Sequence, residues 1–286
     1  MTVVPQGKLS FPSLYKRVRV PRITLRPGLI AAWLVLLTVV LWALFPAWFT
    51  HFNPTDGVAG AQRLAPGNGY LLGTDQLGRD LYTRIVYGAV HSLSGALIAV
   101  GLGLALGSLL GLLAGAIGGW FDSLIMRVID ILLAIPGLLL ALSVIILLGF
   151  GTVNAAIAVG ITSIASFTRL VRGETLRVRH SDFVEAAWGS GGTFFSVLLR
   201  HIVPNALSTV FAFAALQFGS AILAISTLSF LGYGAPPPTP EWGLLIAEGR
   251  NYLSTAWWLT AFPGIVVVLV VLAANRVSQS LRRGQS

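Results

Sequence analysis

The sequence predicts an all-α polytopic membrane protein with six transmembrane helices and both termini in the cytoplasm. Three observations carry that expectation. Of 286 residues, 55% are apolar and 10% charged, where soluble domains carry about a quarter charged; the mean hydropathy is +0.82. Such a chain is too apolar to be disordered and too poor in charge to solvate a water-soluble globule. Charge-free intervals at 27–55, 85–121, 131–168, 201–240 and 251–275 supply the ~20 apolar residues that a membrane crossing needs. The basic residues, finally, gather on alternate loops.

The first interval holds one span at Leu29–Phe49 and the second a long helix at Gly88–Ile117. The third is too long for one crossing and carries a turn signal, Gly149-Phe150-Gly151-Thr152-Val153-Asn154, so it divides into Ser123–Leu148 and Val153–Leu170. The fourth gives Asn205–Phe230, ended by Ala235-Pro236-Pro237-Pro238-Thr239-Pro240, which cannot continue a helix. The fifth gives Ala256–Asn275. Residues 1–28 form a basic tail, 29–49 the first span, 50–87 an extracytoplasmic segment, and 88–286 a core of five spans with a cytoplasmic loop at 173–204.

Threading the six spans from an inside N-terminus places 15 of the 19 basic residues inside, with only Arg63, Arg79, Arg84 and Arg250 outside. Orientation follows Lys and Arg, not net charge. The formal charge of +9 is thus read as topology and contact with anionic membrane lipid; the dispersed Arg residues give no nucleic-acid-binding patch. The chain is expected in the bacterial plasma (inner) membrane.

Within the second span Gly95, Ala99, Gly103, Gly107, Gly111, Gly115 and Gly119 recur every four residues. Small residues let helix backbones approach closely where no hydrophobic effect drives association. The stripe predicts a partner helix lying along it, within this chain before another subunit. Asp122, Arg127 and Asp130 suggest local Arg–Asp pairing at the cytoplasmic interface. Asn154, Ser163, Gln217, Ser226 and Thr227 either line a pore or bond across helices. Trp242, Trp257 and Trp258 read first as interfacial anchors, and Asp80 with Arg84 as a weak i,i+4 pair.

No catalytic constellation is present. Both Lys residues lie in the N-terminal tail, so there is no phosphate-binding loop ending in Lys-Ser/Thr. There is no Cys, the four His residues fit no metal spacing, and no nucleophile elbow occurs. The chain is expected to hold no cofactor or metal and to be no enzyme.

The most informative stretch is the loop between the fourth and fifth spans. Asp182 is a good N-cap with Glu185 at the third helical position; Ala186 and Ala187 give a low profile beside Phe183 and Trp188. Gly191-Gly192 supplies a left-handed stop, Thr193 can cap a second short helix, and Pro204 opens the next span. By its residues alone this is either an interfacial loop helix or a plug for a partner's cleft. Glu185-Ala186-Ala187-x-x-x-Gly191 followed by His201-Ile202-Val203-Pro204-Asn205 resembles the "EAA" loop of ABC importer membrane subunits. Leu72-Gly73-Thr74-Asp75-Gln76-Leu77-Gly78-Arg79-Asp80-Leu81-Tyr82-Thr83-Arg84 is similar to the segment after the first span in the second permease subunit of dipeptide, oligopeptide and nickel importers. Leu228-Ser229-Phe230-Leu231-Gly232-Tyr233-Gly234, with Pro236-Pro237, Pro240, Trp242-Gly243 and Pro263-Gly264, resembles that subfamily's last third. Departures fall at Val90, Ile225, Gln279 and Arg283.

The resemblance implies a type I ABC importer permease fold and half of a translocation pore. It implies coupling to ATPases through Asp182, Phe183, Glu185, Ala186, Ala187, Trp188, Gly191, His201 and Pro204. The implied partners are a second, homologous permease, two ATP-binding subunits that bind ATP and Mg, and an extracytoplasmic substrate-binding protein. A dipeptide, oligopeptide, nickel, metallophore, opine or glutathione-like solute would be the cargo. The alternative from another class, an ATP-independent secondary carrier or channel, would need mid-membrane coupling residues on broken helices in repeated halves.

Overall fold

The computed structural model describes residues 27–67 and 69–283, without the side chains of Ser208, Arg282 and Arg283; the basic tail at 1–26 lies outside the described residues. Helix α1 (Pro27–Leu44) is followed by an irregular outer segment. Helices α2 (Leu81–Leu102) and α3 (Ser108–Ile117) form one 37-residue rod through a π turn at Gly103–Gly107. Then come α4 (Gly119–Ala134), α5 (Gly137–Leu148) and α6 (Thr152–Arg179). The loop elements α7 (Asp182–Gly189) and α8 (Phe194–Val197) lead through a π turn at Leu198–Ile202 into α9 (Val203–Phe230). A short α10 (Trp242–Gly249) precedes α11 (Trp258–Arg283).

Contacts at the helix ends fix the threading independently of charge. Gly28 of α1 faces the Arg276 guanidinium of α11, while Trp42 packs edge-on against Tyr82 at the start of α2. Arg179 at the end of α6 donates to Gly115 O (3.2 Å) and Ala116 O (2.9 Å) at the end of α3. Beyond α5, the Gly151 amide bonds Tyr233 O, just past the end of α9. The pair α4–α5 therefore runs from the inner end of α3 to the outer end of α9. Among the described residues this makes six crossings, five continuous helices and the bent pair α4–α5, and the first and last helices meet at the inner end.

The third crossing is not the single helix predicted over Ser123–Leu148: it bends by 95° between α4 and α5. Ile135 is extended (φ −84°, ψ 130°) and Pro136 follows (φ −53°, ψ 126°). A proline disfavours helix in the residue before it and lacks an N–H of its own, so the helix stops here. Other boundaries shift for local reasons. The second crossing begins at Leu81 rather than Gly88, because Asp80 caps it by accepting from the Thr83 amide (2.8 Å). Helix α6 runs past Leu170 to Arg179 since its charges find partners: Arg172 forks onto Asp122 of α4, with Nη2–Oδ2 at 2.6 Å, and Arg177 reaches Glu174.

The glycine stripe faces α6 of the same chain. A Cβ on Gly103 would lie 2.7 Å from Ser163 Cβ, on Gly107 2.5 Å from Phe167 Cβ, on Gly111 2.5 Å from Thr168 O, and on Gly115 2.8 Å from Thr175 Cβ. Gly95 has looser neighbours, with Ile225 Cδ1 at 3.3 Å, and Gly119 leaves the stripe altogether: it has φ +61° and open space around it, at the turn into α4. A four-residue stripe drifts by about 40° per step on a 3.6-residue helix. The π turn at Gly103–Gly107, a wider turn, takes up part of that drift and keeps the groove on α6.

The ion pairs of Asp122 and Asp130 are interhelical rather than local. Asp122 pairs with Arg172, and Asp130 with Arg169 (2.6 Å); Arg127 is not in either pair. At the outer end the Trp anchors divide. Trp242 is fully buried, donating from Nε1 to Ile85 O (3.0 Å), and Trp258 is buried against Thr74. Trp257 alone of the three is exposed.

Candidate coupling surface and midplane cavity

The loop after α6 is built to hold one face and offer the other. The turn at His180–Ser181 ends α6, and Ser181, extended at φ −89°, ψ 147°, is the N-cap of α7. This moves the predicted cap back from Asp182 by one position and places Glu185 one turn in, with its amide on Ser181 O (3.1 Å). Val184 is fully buried in a small cluster with Ala116 of α3, Val178 of α6, and Val197, Leu198 and Ile202 beyond the loop; Ala187 packs against it. Asp182, Phe183, Glu185, Ala186 and Trp188 face outward.

The stop is a Schellman turn. Gly192 N–H bonds Ala187 O (3.1 Å) and Gly191 N–H bonds Trp188 O (3.0 Å). The two glycines serve for different reasons. Gly191 has φ +83° with open space where a side chain would be, so only its conformation matters; at Gly192 a Cβ would meet Ala187 O at 2.7 Å and Val197 Cγ2 at 2.8 Å. Thr193 occupies the N-cap position of α8, without a side-chain bond. His201 and Pro204 stand apart from α7. Pro204 has no N–H to give to the preceding turn and its ring crowds the carbonyl there. The chain answers with the π turn Leu198–Ile202, and the Asn205 side-chain Nδ2 donates to His201 O (2.6 Å). This hinge joins the loop to α9.

Two residues that sequence reasoning passed over complete the outward face: Phe195 is 72% exposed and Leu199 61%. Their i,i+4 spacing in a cytoplasmic loop was the available signal. With Phe183 and Trp188 they leave aromatic and aliphatic surface at an end of the molecule where the Lys/Arg bias places water, the mark of an interaction surface.

Midway through the membrane, two adjoining cavities of ≈310 and ≈360 Å³ share Gly137, Val159, Thr162 and Ala224. The first is also lined by Pro136, Ser166, Gln217 and Ser220, the second by Thr227. The four polar residues predicted to line a pore or bond across helices, together with Ser163, therefore separate. Gln217, Thr227 and Ser163 line these cavities. Asn154 instead donates to Leu148 O (3.0 Å) and Gly149 O (3.1 Å), closing the end of α5. Ser226 is buried against α10, where a Cβ on Gly243 would touch its carbonyl at 2.4 Å. Among the described residues, no acidic or basic side chain lines either cavity, whereas a secondary carrier would place coupling-ion residues at this depth.

The outer end is closed by charge. Arg84 Nη1 donates to Asp75 Oδ2 (2.7 Å) and to Glu248 Oε2 (2.8 Å), and Arg79 Nε to Asp75 Oδ2 (2.6 Å). Both arginines are fully buried. The predicted pairing of Arg84 with Asp80 is replaced: Asp80 caps α2, and Arg84 crosses to α10. Glu241, fully buried, caps α10 by accepting from Gly243 N (3.0 Å) and Leu244 N (3.1 Å).

Comparison with known proteins agrees with this geometry. Residues 107–285 match the family described as "Binding-protein-dependent transport system inner membrane component". The chain is 42% identical over 254 residues to the glutathione transport system permease protein GsiD of Escherichia coli O6:K15:H31 (strain 536 / UPEC), covering 88% of this chain and 83% of that protein. The GsiD of Shigella boydii serotype 4 (strain Sb227) matches at the same identity and coverage. Among solved structures, an inward-facing MetNI methionine ABC transporter matches with a TM-score of 0.55 at 16% identity, over 69% of this chain and 96% of that one. An amino acid ABC transporter matches with a TM-score of 0.56 at 15% identity, over 71% and 94%; at these identities the likeness is one of fold. The chain belongs to the binding-protein-dependent transport system inner membrane components, and is a multi-pass permease subunit of an ABC importer of the dipeptide, oligopeptide and nickel type.

Proposed function

We propose that this permease is worked from the cytoplasm through α7 and α8, and that the assembly contains a second, homologous permease, two ATP-binding subunits and an extracytoplasmic substrate-binding protein. ATP and Mg bind in the ATPase subunits; this chain supplies no nucleotide site. The observation that carries the reading is the two-sided build of the loop: Val184 and Ala187 are seated on α3, α6 and the hinge before α9, while Phe183, Trp188, Phe195 and Leu199 are left for a partner. A push on α7 reaches the inner ends of α3 and α6, which the glycine groove and the Arg179 bonds to α3 carbonyls tie together. Rigid packed elements of this kind have discrete arrangements, so they can pass a shift of state across the membrane. ATP shifts that equilibrium only by its differential affinity for the two states.

The cargo we infer is glutathione or a related small peptide, in line with the name of the 42% identical relatives and with a neutral, polar cavity at mid-membrane. The test of coupling is Gly191→Leu. The left-handed backbone costs an L residue about 1–2 kcal/mol, so the Schellman stop is lost while the spans are untouched. The expected outcome is a variant inserted at normal level that neither takes up glutathione nor shows ATP hydrolysis stimulated by the loaded binding protein. Uptake at the normal rate would remove the loop from the mechanism.

A further inference from the structure

Three features of separate helices meet at one depth. The break between α4 and α5 lies at Ile135–Pro136, midway through the third crossing. Ser166 sits halfway along the 28-residue α6, and Gln217 halfway along the 28-residue α9. All three open onto the ≈310 Å³ cavity, with Ser220 and Thr162 beside them.

The hydrogen bonds of these groups differ in kind. Thr162 Oγ1 donates back to Val159 O (2.7 Å), and Thr227 Oγ1 to Leu223 O (2.8 Å), so each spends its donor on its own helix. Among the described residues neither the Gln217 carboxamide nor the Ser166 hydroxyl makes such a bond, and at the break Pro136 has no N–H to offer the last carbonyls of α4. Gly137 borders both cavities, and a Cβ there would meet nothing within 4 Å. Free amide groups and interrupted backbone cannot face hydrocarbon, where each unmet polar group costs several kcal/mol; irregular backbone at this depth is tolerated where it lines a water-filled cavity.

Resting on the importer reading above, we propose that this cavity is a hydrated, charge-free solute-contact site, and that the Gln217 carboxamide is its specificity-determining group, exchanging hydrogen bonds with the peptide groups of the passing solute. A carboxamide offers two donors and an acceptor oxygen, which complements a peptide unit on both sides. The described residues of the lining carry no fixed charge, so the site passes a peptide without trapping its charged ends. Affinity then resides outside this half of the path and the cavity supplies discrimination between peptide-containing and peptide-free solutes.

The chain contains no cysteine, which makes the test direct. Single-cysteine variants Gln217→Cys, Ser166→Cys and Ser220→Cys, with Leu37→Cys on the exposed face of α1 as the lipid-side control, are placed in the full complex in liposomes. Each is treated with the membrane-impermeant reagent methanethiosulfonate ethylsulfonate, and labelling of this subunit is followed. Only a thiolate reacts, and apolar surroundings suppress it, so the three cavity positions should label at least about tenfold faster than position 37. Equal rates at 217 and 37 overturn the hydrated site. For the carboxamide, Gln217→Leu should lower uptake of glutathione about tenfold, the loss of roughly one good hydrogen bond, with binding-protein-stimulated ATP hydrolysis within twofold of normal and partial rescue by Gln217→Asn. Unchanged uptake by Gln217→Leu overturns the specificity role. Fast labelling of the three cavity cysteines, combined with a wild-type complex that hydrolyses ATP but takes up neither glutathione nor trialanine, overturns the peptide role of Gln217 together with the cargo inferred above, and supports the hydrated site.

Discussion

The two ends of this permease are finished in opposite ways. At the outer end three buried charged side chains, Asp75, Arg79 and Arg84, pair with one another and with the partly buried Glu248, Glu241 caps α10 from inside, and Trp242 and Trp258 fill the space between. At the inner end a small cluster around Val184 holds α7, and large apolar side chains stay in the open. One end is held by the chain's own ion pairs, although Arg79 Nη2 and Arg84 Nε have no hydrogen-bond partner among the described residues; the other leaves apolar surface exposed. On the coupling proposed above, the difference separates an element that keeps its shape from one that receives force.

Breaking the outer network should give the largest loss. Arg84→Met removes the guanidinium that bridges Asp75 and Glu248 most closely and leaves them only Arg79, which is 3.5 Å from Glu248; breaking a buried pair in this way costs about 3–5 kcal/mol. The expected result is a marked fall in the melting temperature of the detergent-solubilised complex and protease access to the 50–80 segment. An unchanged melting temperature would mean the outer end is no more self-sufficient than the inner. Val184→Ala should come next: it removes two methyl groups from the seat of α7, worth about 1.6 kcal/mol at ~0.8 per buried carbon. Protease should then cut the 180–200 loop faster while the outer segment stays resistant. Phe195→Ser should have the smallest effect on stability, within about 0.5 kcal/mol for an exposed position, and a large effect on stimulated ATP hydrolysis. A stability loss comparable to that of Val184→Ala would place Phe195 in the fold rather than on the docking face.

Much of the architecture was legible along the chain because the bilayer imposes local rules. Each crossing must contain its own run of apolar residues, and the loops must carry Arg on one side, so crossing number and sidedness are written in composition. The glycines at 103, 107, 111 and 115 announced a close neighbour before that neighbour was known. Gly191 announced its left-handed stop because few residues but glycine adopt φ +83° without cost. The 95° bend was less legible: Pro136 stood in the middle of an apolar run, and prolines inside membrane helices are often accommodated without a break.

The sequence by itself determined an α-helical chain that lies in lipid, crosses it six times, turns its basic loops inward and carries a capped, glycine-stopped helix among them. These are properties of neighbouring residues and of the solvent that surrounds them. Tertiary structure alone decided which helix fills the glycine groove, that Arg84 leaves Asp80 for Asp75 and Glu248, that Trp242 is core while Trp257 is surface, and that Ser166, Gln217 and the break at Pro136 share one cavity. Each of those outcomes joins residues from different crossings, and a hydrogen bond or a contact between crossings depends on how the helices pack, which spacing along one helix does not specify.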